Sequence, residues 1–442
     1  MTETRQHQEP SGRRPHDARI ARITLSSLLL APFMMASPLA GAPAPHECDV
    51  SPASLSTHLA ERWQGLAEAR RGAAPDDFEQ RVLNALDEDL GVATIAAAIL
   101  DGAGADLDPD QRASFTEALR TGLAHRFLAF LDEGTGSGTL AVVPTDTSRE
   151  GDATALHYSV DEGAGKGSRK LTVLVGVGGG NACKILNVTW DGNKLVESYA
   201  KLVEKLIKDY SPEYMIARVG DRDELVLADF ESTPVGELPV GWTWRDGDAD
   251  KEKPYRVREE DGNRYLEATD EGQSVILGRK IRWNLDDYPY ISFRVRINEI
   301  PEGGDERYDE TVDSAAGIYV TYKKKMLGKI PESVKFVWSS TLPVGSATIR
   351  EGIGRPWQVV FGSGEDGMGE WKTFVFDLRE TYKKTFRGNP GHRPEGIGIL
   401  SDANSTHSKA YADYDDIKVL RTADGDVTGG VEKILRPKRR RR

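Results

Sequence analysis

The chain is 442 residues long, enough for two domains with cores of ordinary size. It carries 58 lysine and arginine residues against 70 aspartate and glutamate residues, which gives a net charge of −12. The segments expected to fold show no basic stripe, so nucleic acid is not an expected partner. Two cysteines, Cys48 and Cys183, are too few to form a metal site alone, and whether they pair in a disulfide stays open.

Residues 1–44 have the layout of a cleaved export signal. Four arginines between Arg13 and Arg22 precede an apolar run from Ile23 to Ala36, and small residues follow. Because the run is short and interrupted by proline, it does not predict a transmembrane helix. We expect export to the periplasm, with cleavage after Ala42 or Ala44.

Residues 52–215 are predicted to form one α+β domain. Helical spacing of apolar residues predicts two helices between Ser54 and Leu90, a third over Gly91–Leu100 and a long one after Asp108. Alternating strands follow, and an Asp191-Gly192 turn leads into another amphipathic helix. The predicted strands are Thr139–Val143, Ala155–Val160, Lys170–Val177 and Cys183–Trp190. We predict an antiparallel four-stranded sheet with helices on one face.

Two segments of this domain resemble the MlaC-type phospholipid-binding family, also called the toluene-tolerance auxiliary family. Leu107–Leu119 reads L-D-P-D-Q-R-A-S-F-T-E-A-L and is similar to the motif L-[ST]-P-x-Q-R-x-x-F-x-x-A-[FL]. Lys184–Tyr199 reads K-I-L-N-V-T-W-D-G-N-K-L-V-E-S-Y and is similar to K-[IV]-x-D-V-x-x-x-G-V-S-L-V-x-x-Y. The chain departs from the second motif at Asn187, where Asp is usual, and at Asn193-Lys194, which replace Val-Ser.

This resemblance implies a carrier of phospholipid or a similar diacyl lipid. It also implies exchange of that lipid with an inner-membrane ABC transporter that bears an MCE-type ring, and with an outer-membrane lipoprotein. Acyl chains bind by apolar burial, so the expected site is a pocket wall of apolar residues. The candidate wall residues are Ile95, Ile99, Phe115, Leu119, Leu123, Phe127, Leu171, Val173, Val175, Ile185, Leu195, Tyr199, Leu202 and Leu206. The same pattern describes an ordinary closed core, and periodicity cannot separate the two.

Residues 225–421 predict a β-sandwich, of the jelly-roll type, followed by a disordered basic tail over 422–442. The predicted strands are Tyr290–Ile297, Gly317–Tyr322, Ser333–Ser339, Trp357–Phe361, Trp371–Leu378, Gly396–Leu400 and Tyr411–Leu420. This half resembles an exported bacterial family of unknown function. The residues that carry the resemblance are Leu238–Trp242, Tyr288-Pro289, Asp313–Val320, Val337–Ser339, Gly369–Trp371 and Ser401–Thr406.

No motif of an enzyme stands out: HExxH, GxSxG, paired CxxC and an intact phosphate loop are all absent from the sequence, and we expect a protein that is not an enzyme. Asp229, Glu231 and Asp416 resemble the carboxylates that hold structural Ca²⁺ in carbohydrate-binding jelly rolls, with surface charge as the simpler explanation. The acidic stretch Asp305–Glu310 is expected to face solvent.

Two other functions stay open beside lipid carriage. The sandwich could bind glycan or another envelope polymer, with the first domain as a closed structural part. More weakly, its carboxylates could serve as acid and base in a polysaccharide-modifying enzyme.

Overall fold

The computed structural model describes residues 51–70, 75–134, 141–161, 167–177, 183–325, 330–423 and 427–436. The predicted export signal, Cys48 and the end of the basic tail lie outside these residues. The chain divides into two compact units, Met1–Lys205 with Val219–Asp221 and Leu206–Arg218 with Arg222–Arg442. None of the helices in the described ranges combines the length and the apolarity that a membrane span requires.

Four helices open the first unit, as the apolar spacing predicts. They are α1 (Pro52–Arg70), α2 (Pro75–Asp89), α3 (Val92–Ala103) and α4 (Pro109–Gly134). The start of α4 is a reciprocal cap: the Asp108 carboxylate accepts from the Gln111 amide at 2.8 Å, and the Gln111 side-chain oxygen accepts from the Asp108 amide at 3.2 Å. The first motif therefore encodes the beginning of a helix.

A five-stranded antiparallel sheet follows, in the order β1-β2-β3-β4-β5. Its strands are β1 (Ala141–Glu150), β2 (Ala153–Asp161), β3 (Ser168–Val177), β4 (Cys183–Trp190) and β5 (Asn193–Lys194). The four predicted strands are present, and β5 is a two-residue addition. Asp191 and Gly192 have φ of 45° and 83°, as the tight turn between β4 and β5 requires. Helix α5 (Leu195–Asp209) begins directly after β5.

The helices pack on the sheet and on each other. Helix α1 contacts β1 and β2, α2 contacts α4 and β4, and α3 contacts α4 and β4. A Cβ added at Gly102 of α3 would lie 3.2 Å from the Cβ of Ala200 in α5, so these helices approach closely. Cys183, at the start of β4, is disulfide-bonded, so it is not the free thiol that the sequence alone also allows.

The second unit begins at Leu206, inside α5, and continues with helix α6 (Pro212–Val219, of which Val219 belongs to the first unit). It also holds α7 (Leu378–Phe386). One sheet has the order β19-β14-β15-β13-β12-β17-β10-β7 and the other β16-β11-β18-β9-β8, with β6 paired to β18. The strands are β6 (Glu224–Ala228), β7 (Thr243–Trp244), β8 (Tyr255–Glu260), β9 (Asn263–Asp270), β10 (Leu277–Arg279), β11 (Tyr290–Glu299), β12 (Ala316–Lys325), β13 (Ile330–Ser339), β14 (Ser346–Thr348), β15 (Trp357–Ser363), β16 (Lys372–Asp377), β17 (Gly396–Ile399), β18 (Ala410–Leu420) and β19 (Lys433–Ile434).

Aromatic rings join the two sheets face to face. The Phe293 ring of β11 lies 6.0 Å from Phe336 of β13 and 5.2 Å from Phe361 of β15. The Tyr414 hydroxyl of β18 accepts from the amide of Gly317 in β12 at 3.1 Å. The predicted α+β chain with a β-sandwich in its second half is therefore confirmed. Two strand pairs of the larger sheet, β13 with β15 and β14 with β19, are parallel.

Two helices were not predicted. No helix is predicted from the sequence after residue 210, yet Pro212–Val219 form α6. Leu378 was assigned to the end of a strand, yet it begins α7, where the Asp377 carboxylate accepts from the Glu380 amide at 2.8 Å. A local cap thus ends the strand one residue earlier than its alternation suggests.

Candidate functional sites

The predicted pocket wall lies in the interior. Every candidate wall residue is buried except Leu202, which is half-buried, while its neighbour Val203 is fully covered. Ile95, Phe115, Leu119 and Phe127 have no exposed surface. A side chain beside a water-filled tunnel would keep accessible surface, so protein atoms cover these residues. An acyl chain would have to displace those atoms.

The second motif also performs structural work. The Asn187 side-chain oxygen accepts from the Val196 amide at 3.2 Å, at the start of α5, and its amide donates to Glu197 at 3.1 Å. An aspartate could not make this donation to Glu197, which gives a physical reason for the departure from the family motif. The Asp191 carboxylate accepts from the Lys170 amide at 3.0 Å and so fixes the turn to β3.

The second motif segment contacts the helix that the first motif segment begins. The Tyr199 hydroxyl accepts a hydrogen bond from the guanidinium of Arg126, whose carbon lies 5.6 Å from the tyrosine ring. Arg126 also donates to the Val219 carbonyl at 3.1 Å. Tyr199 ends the second motif, and Arg126 lies on α4 beyond Leu119, the last residue of the first motif. The end of the second motif therefore packs against α4.

The calcium candidates occupy neighbouring strands. Asp229 and Asp416 flank Ala228 and Ile417, which pair between β6 and β18. The Glu231 carboxylate accepts from the Arg264 amide at 2.9 Å, and the Asp416 carboxylate lies 3.6 Å from the Arg294 guanidinium. Among the described residues, no group of three or more His, Cys, Asp or Glu side chains is arranged to hold a metal ion. The calcium site stays a prediction.

The outer surface of the smaller sandwich sheet gathers an aromatic and charged set that we call the Trp371 face. Its members are Tyr265, Arg294, Arg296, Trp371, Asp413 and Asp415. The guanidinium carbons of Arg294 and Arg296 lie 4.5 Å and 4.8 Å from the Trp371 ring centre, and the Tyr265 ring meets Trp371 edge-on at 5.5 Å. These contacts therefore fix the position of the indole ring, which stays partly exposed.

Two buried carboxylates, Asp413 and Asp415, belong to the Trp371 face. Asp413 accepts from Arg296 at 2.7 Å and from Asn298 at 2.9 Å, and Asp415 accepts from Asn263 at 2.9 Å. Burial raises the pKa of Asp413 and raises the pKa of Asp415 to about 6. The charges of the face are thus paired within it.

An open cleft of about 520 Å³ lies at one end of the sandwich. Its lining is polar except for Ile300: Glu271, Glu299, Ile300, Glu302, His407, Ser408 and Lys409. Glu299 pairs with Tyr411 of β18, whose hydroxyl donates to Glu271 at 2.6 Å. Tyr411, Asp413 and Asp415 alternate along β18, so they lie on one side of the sheet. The cleft therefore adjoins the Trp371 face.

Charged side chains also lie inside the sandwich. Glu306, expected to face solvent with its neighbours, is fully buried, and Ser339 donates to its carboxylate at 2.6 Å. Burial raises the pKa of Glu306 to about 7. The buried Lys335 ammonium donates to Ser314 at 3.1 Å, and a Cβ at Gly317 would lie 2.2 Å from Lys335 Cε. Glycine at 317 is what admits the lysine side chain.

One family model matches part of the second half of the chain. Residues 241–418 match the family described as "Protein of unknown function (DUF3047)", which fits the resemblance found in the second half. No curated protein matches the chain.

Three solved structures are similar at low scores. A phospholipid-binding protein from Ralstonia solanacearum, in complex with a phospholipid, is 12% identical with a TM-score of 0.28, and the match covers 36% of this chain and 86% of that one. A family 30 carbohydrate-binding module of a Clostridium thermocellum cellulosomal cellulase is 14% identical with a TM-score of 0.26, covering 43% and 95%. TmCBM27, a module described by its specific mannan recognition, is 15% identical with a TM-score of 0.20, covering 45% and 99%. These scores are too low to assign a function.

Proposed function

We propose that the first unit binds phospholipid or a similar diacyl lipid and that the protein carries it through the periplasm. The observation that carries this proposal is that the apolar residues of both MlaC-like segments are buried within one compact unit, Phe115 and Leu119 from the first and Leu195 and Tyr199 from the second. Two motifs in the expected order, each with buried apolar residues in the same unit, favour a shared role over two separate coincidences.

Binding requires the interior to open, because protein atoms cover the wall residues. Burial of two acyl chains of about fifteen methylenes each contributes more than ~20 kcal/mol of favourable free energy before the costs of binding are subtracted. When helix and sheet side chains part, they contact the acyl chains instead of each other. Little apolar surface then becomes exposed, so the opening costs far less than exposing the same side chains to water.

The test is lipid occupancy of the full chain produced in a bacterial periplasm. Native mass spectrometry after mild purification, with extraction and identification of any bound lipid, should find phospholipid. The chain should also take up labelled phospholipid from vesicles of phosphatidylethanolamine and phosphatidylglycerol. Purified protein that contains no lipid and takes up none from these vesicles would overturn the proposal.

Helix α3 supplies a matched pair of variants. Ala96 is buried and Ala97 is exposed on the same helix. We expect Ala96→Phe to reduce lipid occupancy because the added ring takes interior volume, and Ala97→Phe to bind as the natural chain does. Equal occupancy in both variants would place the lipid elsewhere. Circular dichroism of both proteins checks that each remains folded.

The partners follow from the same resemblance. We propose exchange with an inner-membrane ABC transporter bearing an MCE-type ring and with an outer-membrane lipoprotein, after export directed by residues 1–44. No covalent chemistry is part of this function. Crosslinking from exposed sites of the first unit in intact cells should capture one or both membrane components. Capture of neither would overturn the proposed exchange. Lipid binding would still be tested separately by the occupancy experiment.

A further inference from the structure

We infer that the Trp371 face and its adjoining cleft bind a neutral polysaccharide chain. The second unit would then attach the protein to a glycan of the cell envelope, a role separate from lipid binding in the first unit. The inference stands on three features of the described residues: a preformed aromatic platform, hydrogen-bonding groups whose charges are already paired, and an open polar cleft beside them.

The aromatic platform suits a sugar ring. A pyranose presents a face of C–H groups that packs on an aromatic ring, as apolar surfaces do, while its hydroxyls point sideways. Trp371 is partly exposed, and its ring is fixed by Arg294, Arg296 and Tyr265. Because these contacts exist before any ligand arrives, binding would order few side chains, which preserves affinity.

Hydroxyl groups fit the polar members of the face. Arg296 donates to the exposed Glu260 at 2.8 Å and also to Asp413, which is buried, so Arg296 and Glu260 are the charged groups that a ligand can reach. A hydroxyl can accept from a guanidinium or amide and donate to a carboxylate at the same time. Such a mixed array recognises a ligand with both functions on neighbouring atoms, which is the arrangement on a sugar ring.

The charge balance selects against a polyanion. Arg258 pairs with Glu267 at 2.7 Å, Arg296 pairs with Asp413 and Glu260, and the Arg294 guanidinium lies 3.6 Å from Asp415. A phosphate or uronate chain would approach the carboxylates as well as the guanidiniums and gain little. The lining of the cleft adds three glutamates against one lysine and one histidine. A neutral polysaccharide is not repelled by these carboxylates.

The cleft extends the same surface. Its volume of about 520 Å³ lies within the range of small-ligand sites. Ser408, His407 and the glutamates offer hydrogen bonds to the hydroxyl groups of a sugar chain. We assign the cleft to one end or a branch of the polysaccharide whose sugar rings pack on Trp371.

Affinity electrophoresis of the full chain in gels that contain a soluble neutral polysaccharide tests this inference. A β-glucan, a galactomannan and an α-glucan serve as neutral probes, with alginate and heparin as anionic ones. We expect retention by at least one neutral polymer and a loss of affinity of about tenfold or more in Trp371→Ala, measured by calorimetry on the retaining polymer. Trp371→Phe should lose less, because it keeps a ring.

Trp244 supplies the matched control. It is 38% exposed at the edge of the other sheet, where Lys253 lies 4.6 Å from its ring. Trp244→Ala removes an indole that is more exposed than Trp371 and should bind the neutral polymer as the natural chain does. Equal loss in both variants, retention only by the anionic polymers at low salt, or no retention by any neutral polymer would each overturn the inference. Melting temperatures of the three variants show whether a loss reflects unfolding.

Discussion

The interiors of the two units differ in the side chains they bury. In the first unit, Phe115, Leu119 and Leu123 form an apolar ladder with no exposed surface, and the prominent polar motif residues Asp108 and Asn187 act at the ends of helices. The sandwich instead buries a carboxyl at Glu306 and an ammonium at Lys335.

This difference bears on what each unit can do. Apolar contacts have no fixed direction, so an apolar interior can rearrange around a guest of similar chemistry. A buried hydrogen-bonded network tolerates little displacement, because each unpaired group is costly. In the sandwich, Asp313 accepts from the Ser405 amide at 3.2 Å and from the Thr406 hydroxyl at 2.7 Å, which holds the loop beside the cleft. The proposed lipid site, which must rearrange to admit its ligand, therefore suits the first unit. The proposed polysaccharide surface, which stays rigid, suits the second.

The largest expected effect concerns the closed state of the first interior. Phe115→Ala should lower the free energy of unfolding of this unit by about 3–5 kcal/mol, because a fully covered ring leaves a cavity when it is removed. Phe336→Ala is the control in the sandwich, where Phe336 lies 4.7 Å from the Phe376 ring, and it should cost a similar amount in the second unit. Urea unfolding, fitted with one transition for each unit, measures both.

A small cost for Phe115→Ala beside the full cost for Phe336→Ala would contradict a closed interior. It would mean that the Phe115 ring already borders empty space in solution, as expected for a lipid tunnel that is open before binding. The comparison thus separates a pocket that opens on binding from one that is preformed.

The next effect tests the buried charge of the sandwich. Burial raises the pKa of Glu306 from 4.5 to about 7, so the folded chain holds this proton more tightly than the unfolded chain. The stabilisation is complete below the unfolded value of 4.5 and is lost as the pH rises through about 7. Glu306→Gln mimics the protonated group and should be more stable than the natural chain at pH 8 by up to about 3 kcal/mol.

Unfolding at pH 5 and at pH 8 checks the sign. The two proteins should be nearly equal at pH 5 and differ at pH 8, while Glu310→Gln, at an exposed position of the same loop, should follow the natural chain at both values. If Glu306→Gln gains nothing at pH 8, the carboxylate is stabilised by neighbours rather than penalised by burial.

Sequence patterns predicted the elements that alternate or repeat cleanly. All seven predicted sandwich strands are present, and each contributes buried residues to the sandwich. The strand Tyr255–Glu260 was missed, since only Tyr255 and Val257 of its six residues are buried. Along α5 the inward position was assigned to Leu202 when Val203 takes it, a shift of one residue that helical periodicity does not resolve.

The Trp371 face could not be assembled from the sequence. Trp371 stood out within Gly369–Trp371, but its neighbours Tyr265 and Arg294 come from strands β9 and β11, which are distant from it in the sequence. In the sheet β11 pairs with β16, which begins just after Trp371, and β18 separates β11 from β9. Strand order depends on which sheet edges meet in the folded chain, and alternation says nothing about that. Burial of Glu306 was missed for the same reason, because its cover comes from β13 and β15.

The smallest expected effect concerns a motif residue of the first unit. Asn187→Ala should destabilise this unit by about 1 kcal/mol, since it removes the acceptor for the Val196 amide at the start of α5 and the donor to Glu197. Asn187→Asp keeps the acceptor and places a carboxylate beside Glu197, so it should recover part of the loss at low pH and less at neutral pH. If instead Asn187→Ala leaves unfolding unchanged but abolishes lipid uptake, the side chain contacts the lipid or a partner, and the second motif would serve binding as well as folding.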